Sequence, residues 1–414
     1  MFHAGTCQGS GTEGITDRPV AFCLSHLLSQ VKSHIHIAKS TAENGHSFFV
    51  RMSRPYSKTL GQLLVTPAQT RRHGPSQLAR PMLTIRKALI TEFGDESKVV
   101  VVDEDIPAPT AKEVQVRVEF SGFSGADINM RRGTYPFQKK APLTPGYCFV
   151  GRVQANGSGC TRFQQGDPVA GLSIYGAEAE LINQPEKYLV PVPPGLDPKQ
   201  ATALVLDWNT AYGMVMHAAH VKAGQMVFVH GLSGAVGHAL LTLSKLQGAQ
   251  VFGTASPKNH AGLIELGASP FAYSDKSWIN AMQSGGGVDV VFDALGFESY
   301  DESYSILRQG GRLVAYGLNL PALLGTPPRP VLPAVIKLLA RNLAFWSGKK
   351  TIFYYITRDA KTFEPDLETL FDLAKSGKIS VPIKAIYSLE NIQDAHREWG
   401  KASGMGSILI EVQK

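Results

Sequence analysis

Short apolar and alternating runs, punctuated by Gly and Pro, fill the chain from about Ile85 to residue 192. Residues 86–90, 99–102 and 114–118 read as strands, with Ile106-Pro107-Ala108-Pro109 among the turn signals between them. The series closes on Val190-Pro191-Val192-Pro193-Pro194-Gly195 and predicts a barrel-like, all-β stretch. From about Pro198 the period becomes helical. A helix over 199–217 leads to a strand at 226–229, a Gly-rich turn, a helix at 235–247 and a strand at 250–254. A helix through 263–266, a strand at 271–273, a helix near Trp278, a strand at 288–292, a helix at 300–308 and a strand at 312–316 continue the alternation. Strands alternating with helices imply right-handed crossovers and a parallel, doubly wound sheet. After about Leu343 the elements are short and mixed, and the chain closes on a strand over 407–412. The class is α/β, with the alternating unit inserted between two parts of a β-rich domain. The expected divisions are a leader at 1–85, β-rich sequence at 86–205, the α/β unit at 206–343 and a return at 344–414.

Charge adds a location rather than a function. The formal net charge is +7, but residues 1–81 carry nine Lys and Arg against Glu13, Asp17 and Glu43, so +6 of it sits there. The remaining body is close to neutral and has no basic stripe for a phosphate backbone, which argues against nucleic acid. Residues 52–80 are basic, hydroxyl-rich and free of acids, the composition of a mitochondrial transit peptide. No clean amphipathic helix can be drawn there, so a disordered leader, or upstream sequence before an internal start at Met82, is the reading preferred. No apolar stretch reaches the roughly 18–20 residues of a membrane span. Cys7, Cys23, Cys148 and Cys160 form no CxxC pair, which fits a reducing, cytoplasmic setting.

The strand at 226–229 runs into His230-Gly231-Leu232-Ser233-Gly234-Ala235-Val236-Gly237 and a helix follows. This approximates GxGxxG, with Leu232 where the first glycine would stand. Gly234 lets backbone approach a pyrophosphate, Gly237 permits close helix–strand packing, and the N–H groups at Ser233, Ala235 and Val236 open the anion-binding helix end. A strand before and a helix after supply the context the motif needs. The next strand ends Gly253-Thr254-Ala255-Ser256-Pro257-Lys258-Asn259, without the acid that an NAD site places there for the ribose 2′-hydroxyl. Ser256 offers room and a donor, and Lys258 a positive charge, which suits a 2′-phosphate and predicts NADPH.

Residues 121–136 (SGFSGADINMRRGTYP), Pro145-Gly146-Tyr147, Phe163-Gln164-Gln165-Gly166-Asp167-Pro168-Val169, Asn209-Thr210-Ala211-Tyr212 and the glycine turn stand in this order along the chain. Together they resemble the medium-chain dehydrogenase/reductase superfamily, in its zinc-free, zeta-crystallin-like quinone oxidoreductase branch. The resemblance covers roughly 86–414. It implies a GroES-like β-barrel catalytic domain with an inserted Rossmann domain, an active site in the cleft between them, and a homodimer. Zinc-dependent relatives carry a Cys early in the barrel and a Gly-His-Glu turn; here stand Phe123-Ser124-Gly125 and Gly146-Tyr147-Cys148. The three converging ligands that a catalytic zinc needs are absent, so no metal is expected.

What remains is hydride transfer to a quinone or an α,β-unsaturated carbonyl compound, with a dedicated enoyl thioester reductase and an idle dinucleotide sensor or adaptor as alternatives. Reducing a conjugated C=C also needs a proton. Tyr135 matches the tyrosine regarded as donor in similar enoyl-thioester reductases, although a ring forming an apolar wall explains it equally. The resemblance places Thr210 near the nicotinamide ribose and phosphates, Tyr273 beside the 2′-phosphate, Gly317 and Asn319 toward the nicotinamide, and Ser124 and Tyr147 in the substrate cleft. Asp127 is expected to hold the barrel loop. Phe353-Tyr354-Tyr355 fits either the cleft or the dimer surface.

Overall fold

The computed structural model describes residues 82–413 apart from Phe137 and Ala402. The leader over 1–81 and its transit-peptide alternative lie outside the described residues. Strand β1 (Met82–Ile90) pairs antiparallel with β2 (Val99–Pro107) along its whole length. Residues 82–85, assigned to the leader from sequence, therefore belong to the fold, and Ile85 is buried.

The β-rich part is built on β3 (Glu113–Phe123), β4 (Cys148–Asn156), β5 (Pro168–Leu172), β6 (Leu181–Pro185) and β7 (Leu189–Pro191). Val116, Val118 and Phe120 of β3 are buried while Arg117 is exposed and Glu119 half-exposed, the period-2 alternation of a half-buried antiparallel strand. After Pro191 the chain leaves this sheet. Asp197 caps a helix whose first residue is Pro198, accepting from the Lys199 N–H at 2.9 Å. Helical structure persists to Ala219 through two π-type stretches, Leu204–Trp208 and Met214–Ala219, and stops where His220 turns left-handed.

The parallel sheet follows: β8 (Met226–His230), β9 (Gln250–Ala255), β10 (Ala268–Ala272), β11 (Val288–Asp293), β12 (Leu307–Ala315) and β13 (Lys350–Phe353), in the order β10-β9-β8-β11-β12-β13. All six residues of β11 are buried, as expected of a strand covered on both faces. Chain direction across the sheet reverses between β8 and β11, so their carboxyl ends form the topological switch point where ligands bind in such folds. β13 lies beyond the expected limit of 343, and the return to the barrel comes later. It is a short edge strand, so it lacks the continuous apolar run that marks β11. Last come β14 (Ile383–Ser388) and β15 (Ser407–Glu411); β15 pairs antiparallel with β3 and closes the α/β unit inside the β-rich one. Among the described residues no helix is long and apolar enough to cross a membrane.

Candidate active site

β8 ends at His230, and Gly231 then takes φ +75°, a region that side chains rarely adopt. The tight turn is thus made by Gly231, one residue before the position where the motif was missing a glycine. Leu232 is buried instead, its N–H bonded to the Thr254 carbonyl at 2.9 Å. A Cβ on Gly237 would overlap the Gly231 carbonyl oxygen, so only glycine lets the helix Ala235–Leu246 start this close to the strand. That helix has no side-chain cap, and its first N–H groups have no intrahelical acceptors. Exposed Gly234, with half-buried Ser233, Ala235 and Val236, presents them as an anion site. A pyrophosphate fits this cradle. The Ser233 carbonyl also accepts from Gly406, tying the turn to the segment before β15.

Past the end of β9, Ser256 is extended and leads into the turn Pro257–Asn259. The Lys258 ammonium is exposed yet engaged, donating to the Lys401 carbonyl and the Ser403 hydroxyl, each at 3.2 Å. Asn259 reaches the Gly404 carbonyl. Lys384, half-buried, has its pKa lowered, first by burial and then by the charge of Lys258. Neither lysine is ion-paired among the described residues, so two neighbouring cations stand here without an anion. Tyr273, directly after β10, is 64% exposed.

On the barrel side, Ser124 is half-buried and engaged in its own helix start. It caps the helix Gly125–Arg131, accepting from Ala126 at 3.2 Å, and both its N–H and its hydroxyl donate to Asp127. The other Asp127 oxygen accepts the Gly146 N–H at 3.2 Å, which fixes the following turn, so Asp127 holds the loop as expected. Burial lifts its carboxyl to about 6, against the pull of those hydrogen bonds. Tyr147 follows that turn, and Tyr135 donates its hydroxyl hydrogen to the Tyr147 oxygen at 2.7 Å, the rings lying edge to face at 5.8 Å. Burial pushes Tyr147 up to about 12 and raises Tyr135 well above the usual phenol range. Both stay phenols near neutral pH.

The Tyr135 N–H bonds to the Asn129 carbonyl at 3.2 Å, and the Asn129 amide donates to Asn319 at 2.9 Å. Asn319 lies just past the carboxyl end of β12, so the tyrosine pair is tethered to the same sheet edge as the glycine turn. Gly317 accepts the Tyr300 hydroxyl at 2.7 Å through its carbonyl. Thr210 is 8% exposed, within the helix Asn209–Gly213. Of the ambiguous aromatic triplet, Phe353 ends the edge strand and Tyr354 packs against Gly213, at the end of the short helix that holds Thr210.

The donors at the turn do not fit zinc. Cys148 packs its sulfur against the Thr202 carbonyl, burial drives its thiol pKa well up, and Tyr147 beside it stays a protonated phenol, a poor zinc ligand. Among the described residues no three His, Cys, Asp or Glu side chains are placed to share a metal ion. Three buried acids escaped the sequence reading. Glu178 is wholly buried, neither oxygen is hydrogen-bonded among the described residues, and burial raises its pKa well above the usual range. Asp207, lifted to about 7 by burial, accepts from Ser407 at 2.6 Å. Asp293 ends β11 and is fully buried. Sequence marks none of them, because burial of an acid depends on which distant elements cover it.

Comparisons with known proteins agree with this architecture. Residues 110–194 match the alcohol dehydrogenase GroES-like domain, and residues 266–410 match the zinc-binding dehydrogenase family. The synaptic vesicle membrane protein VAT-1 homolog of Danio rerio is 29% identical over 345 residues, 80% of this chain and 70% of that protein. The quinone oxidoreductase of Rattus norvegicus is 28% identical over 335 residues, 79% of this chain and 97% of its own. A mycobacterial protein solved in complex with NADPH superposes with a TM-score of 0.70 at 25% identity, over 79% of this chain and all of that one.

Proposed function

Because the chain belongs to the medium-chain dehydrogenase/reductase superfamily, we propose that it is a zinc-independent, NADPH-dependent reductase of quinones or α,β-unsaturated carbonyl compounds. One observation carries the reading. A glycine turn ready for a pyrophosphate and a pair of tyrosine hydroxyls 2.7 Å apart are fixed to the same edge of one parallel sheet. The likeness to rat quinone oxidoreductase and to an NADPH-bound structure supports both halves of it.

The cofactor, when bound, supplies a hydride. The chain's residues orient the two reactants and keep water out. Gly231, Gly234 and Gly237 bring the N–H groups of the helix start to the pyrophosphate. Ser256, Lys258 and Tyr273 take the 2′-phosphate end, and Thr210, Gly317 and Asn319 the nicotinamide end. Within the tyrosine pair, Tyr135 spends its hydrogen on Tyr147, so the hydrogen of Tyr147 remains free for a substrate oxygen or α-carbon. Accepting that bond also helps Tyr147 bear developing negative charge. The pair therefore favours acceptors that need a proton together with a hydride, enones and enoyl thioesters, over quinones that can draw protons from water. Exposed Leu343, Phe345 and Trp346 precede the edge strand β13, and this is the face we assign to a homodimer.

The experiment is NADPH oxidation by the purified, chelator-treated protein against a panel of quinones and enones. Turnover of at least one acceptor, well above the rate without it, supports the reading. Tight NADPH binding with no turnover across the panel would instead mark an idle dinucleotide sensor.

A further inference from the structure

The carboxyl ends of β9, β8 and β11 are joined by one line of hydrogen bonds that the proposed reduction does not use. Asp293 accepts from the Leu295 and Gly296 N–H groups at 2.7 and 3.2 Å on one oxygen. Its other oxygen accepts from Ser299 and Ser303 hydroxyls at 2.8 and 2.7 Å. Ser303, its hydrogen committed to Asp293, can only accept from His230 Nε2 at 3.0 Å. Neutral His230 then carries its hydrogen on Nε2, and Nδ1 accepts from the Thr254 hydroxyl at 3.3 Å. The Thr254 oxygen in turn accepts the Gly231 N–H at 3.2 Å. Every link has one direction: Gly231 N–H to Thr254, Thr254 to His230, His230 to Ser303, Ser303 to Asp293.

The line is closed to water. His230, Thr254, Ser303 and Asp293 are all buried, and the His230 ring is walled edge-on by Trp278 at 5.0 Å and Phe228 at 5.2 Å. A group left unpaired here would have no solvent to turn to. The end of the line is informative: it holds the backbone N–H of the one residue whose left-handed conformation sets the dinucleotide turn. Bonds that only stiffened the sheet could end anywhere along it.

We infer that His230 is a positioning residue for the dinucleotide turn, holding Gly231 through Thr254 so that the helix N–H groups meet the pyrophosphate. The inference rests on the NADPH reading above. It predicts a loss confined to the pyrophosphate contact, which a general weakening of the fold would not give.

The test is calorimetric titration of the full chain with NADPH and with adenosine 2′-monophosphate, which carries the 2′-phosphate but no pyrophosphate. His230→Phe keeps the ring packing and removes both bonds; Thr254→Val keeps volume and removes the hydroxyl. Each should weaken NADPH roughly tenfold, the factor expected for one net hydrogen bond, while leaving adenosine 2′-monophosphate unchanged. The double variant should lose little more than either single, because both break the same line. His230→Asn, which keeps an acceptor for Thr254, should recover most of the affinity. Should His230→Phe fail to fold, Thr254→Val alone carries the comparison. Native-like NADPH affinity in a folded Thr254→Val protein, or equal losses for the two ligands, would overturn the inference. Native protein that binds neither ligand removes the NADPH reading, and the inference falls with it.

Discussion

Replacing Asp207 by Asn should change how stability depends on pH, by an amount the structure allows to be worked out. Asp207 is 5% exposed, and among the described residues its hydrogen-bond partner is the Ser407 hydroxyl at 2.6 Å. That bond fastens the helical segment leading to Thr210 onto β15 of the barrel. Burial raises the native carboxyl to about 7, helped slightly by Asp127, against about 3.9 in an unfolded chain. A native pKa above the unfolded one means the native state holds the extra proton. The stability it contributes is complete below about pH 4 and is lost as pH climbs to 7. At about 1.4 kcal/mol per unit, the loss is on the order of 4 kcal/mol. The wild-type profile alone conceals this. Asp127, at about 6, acts in the same sense. His238 and His396, depressed by burial to about 4 and about 3, act in the opposite sense from those values up to about pH 6.5. Only the difference between variant and wild type isolates Asp207, and Asn keeps an acceptor for Ser407. Urea unfolding of both proteins at pH 4.5, 6 and 8 measures that difference. The variant should gain on the wild type steadily with pH, by a few kcal/mol across the range. A difference that stays constant would show that Asp207 does not keep a proton in the folded state.

Lys258→Ala should weaken NADPH by about 1–3 kcal/mol, the range for a charge-assisted contact, and leave NADH within a factor of two; equal losses in parallel titrations would sink the 2′-phosphate assignment. Tyr135→Phe should lower turnover of the best unsaturated carbonyl by about tenfold, the loss of one hydrogen bond to the Tyr147 oxygen as it gains charge, and spare quinone reduction; an unchanged rate with hydride transfer limiting would make Tyr135 a wall. Exhaustive chelation should leave activity intact, with elemental analysis finding no stoichiometric zinc; one zinc per chain lost together with activity would contradict the donor argument.

Local chemistry was readable in the chain, and long-range burial was not. The β8–turn–helix unit could be read because glycine, strand and helix signals lie within twelve residues, although Gly231 rather than a residue at the Leu232 position makes the turn. Ser124 was placed near the site, but its own helix start consumes it as a cap. Tyr135 and Tyr147 were both singled out, yet their contact depends on the Asp127–Gly146 bond that folds one loop onto the other. Strand β13 was missed because an edge strand buries too little to show a long apolar run. Asp207 and Glu178 carry no local mark, since their burial depends on elements far along the chain. The pairing of Asp207 with Ser407 spans 200 residues.

The most direct test of the reductase assignment follows the hydride itself. The protein would be incubated with an enone and with NADPH carrying deuterium on both transferable positions of the nicotinamide ring, and the product analysed by mass spectrometry and NMR. A single deuterium on the β-carbon, with the α-carbon hydrogen drawn from solvent, is the predicted result. Bound NADPH left unoxidised with enones and quinones alike, or a product whose β-carbon carries only solvent hydrogen, would contradict it.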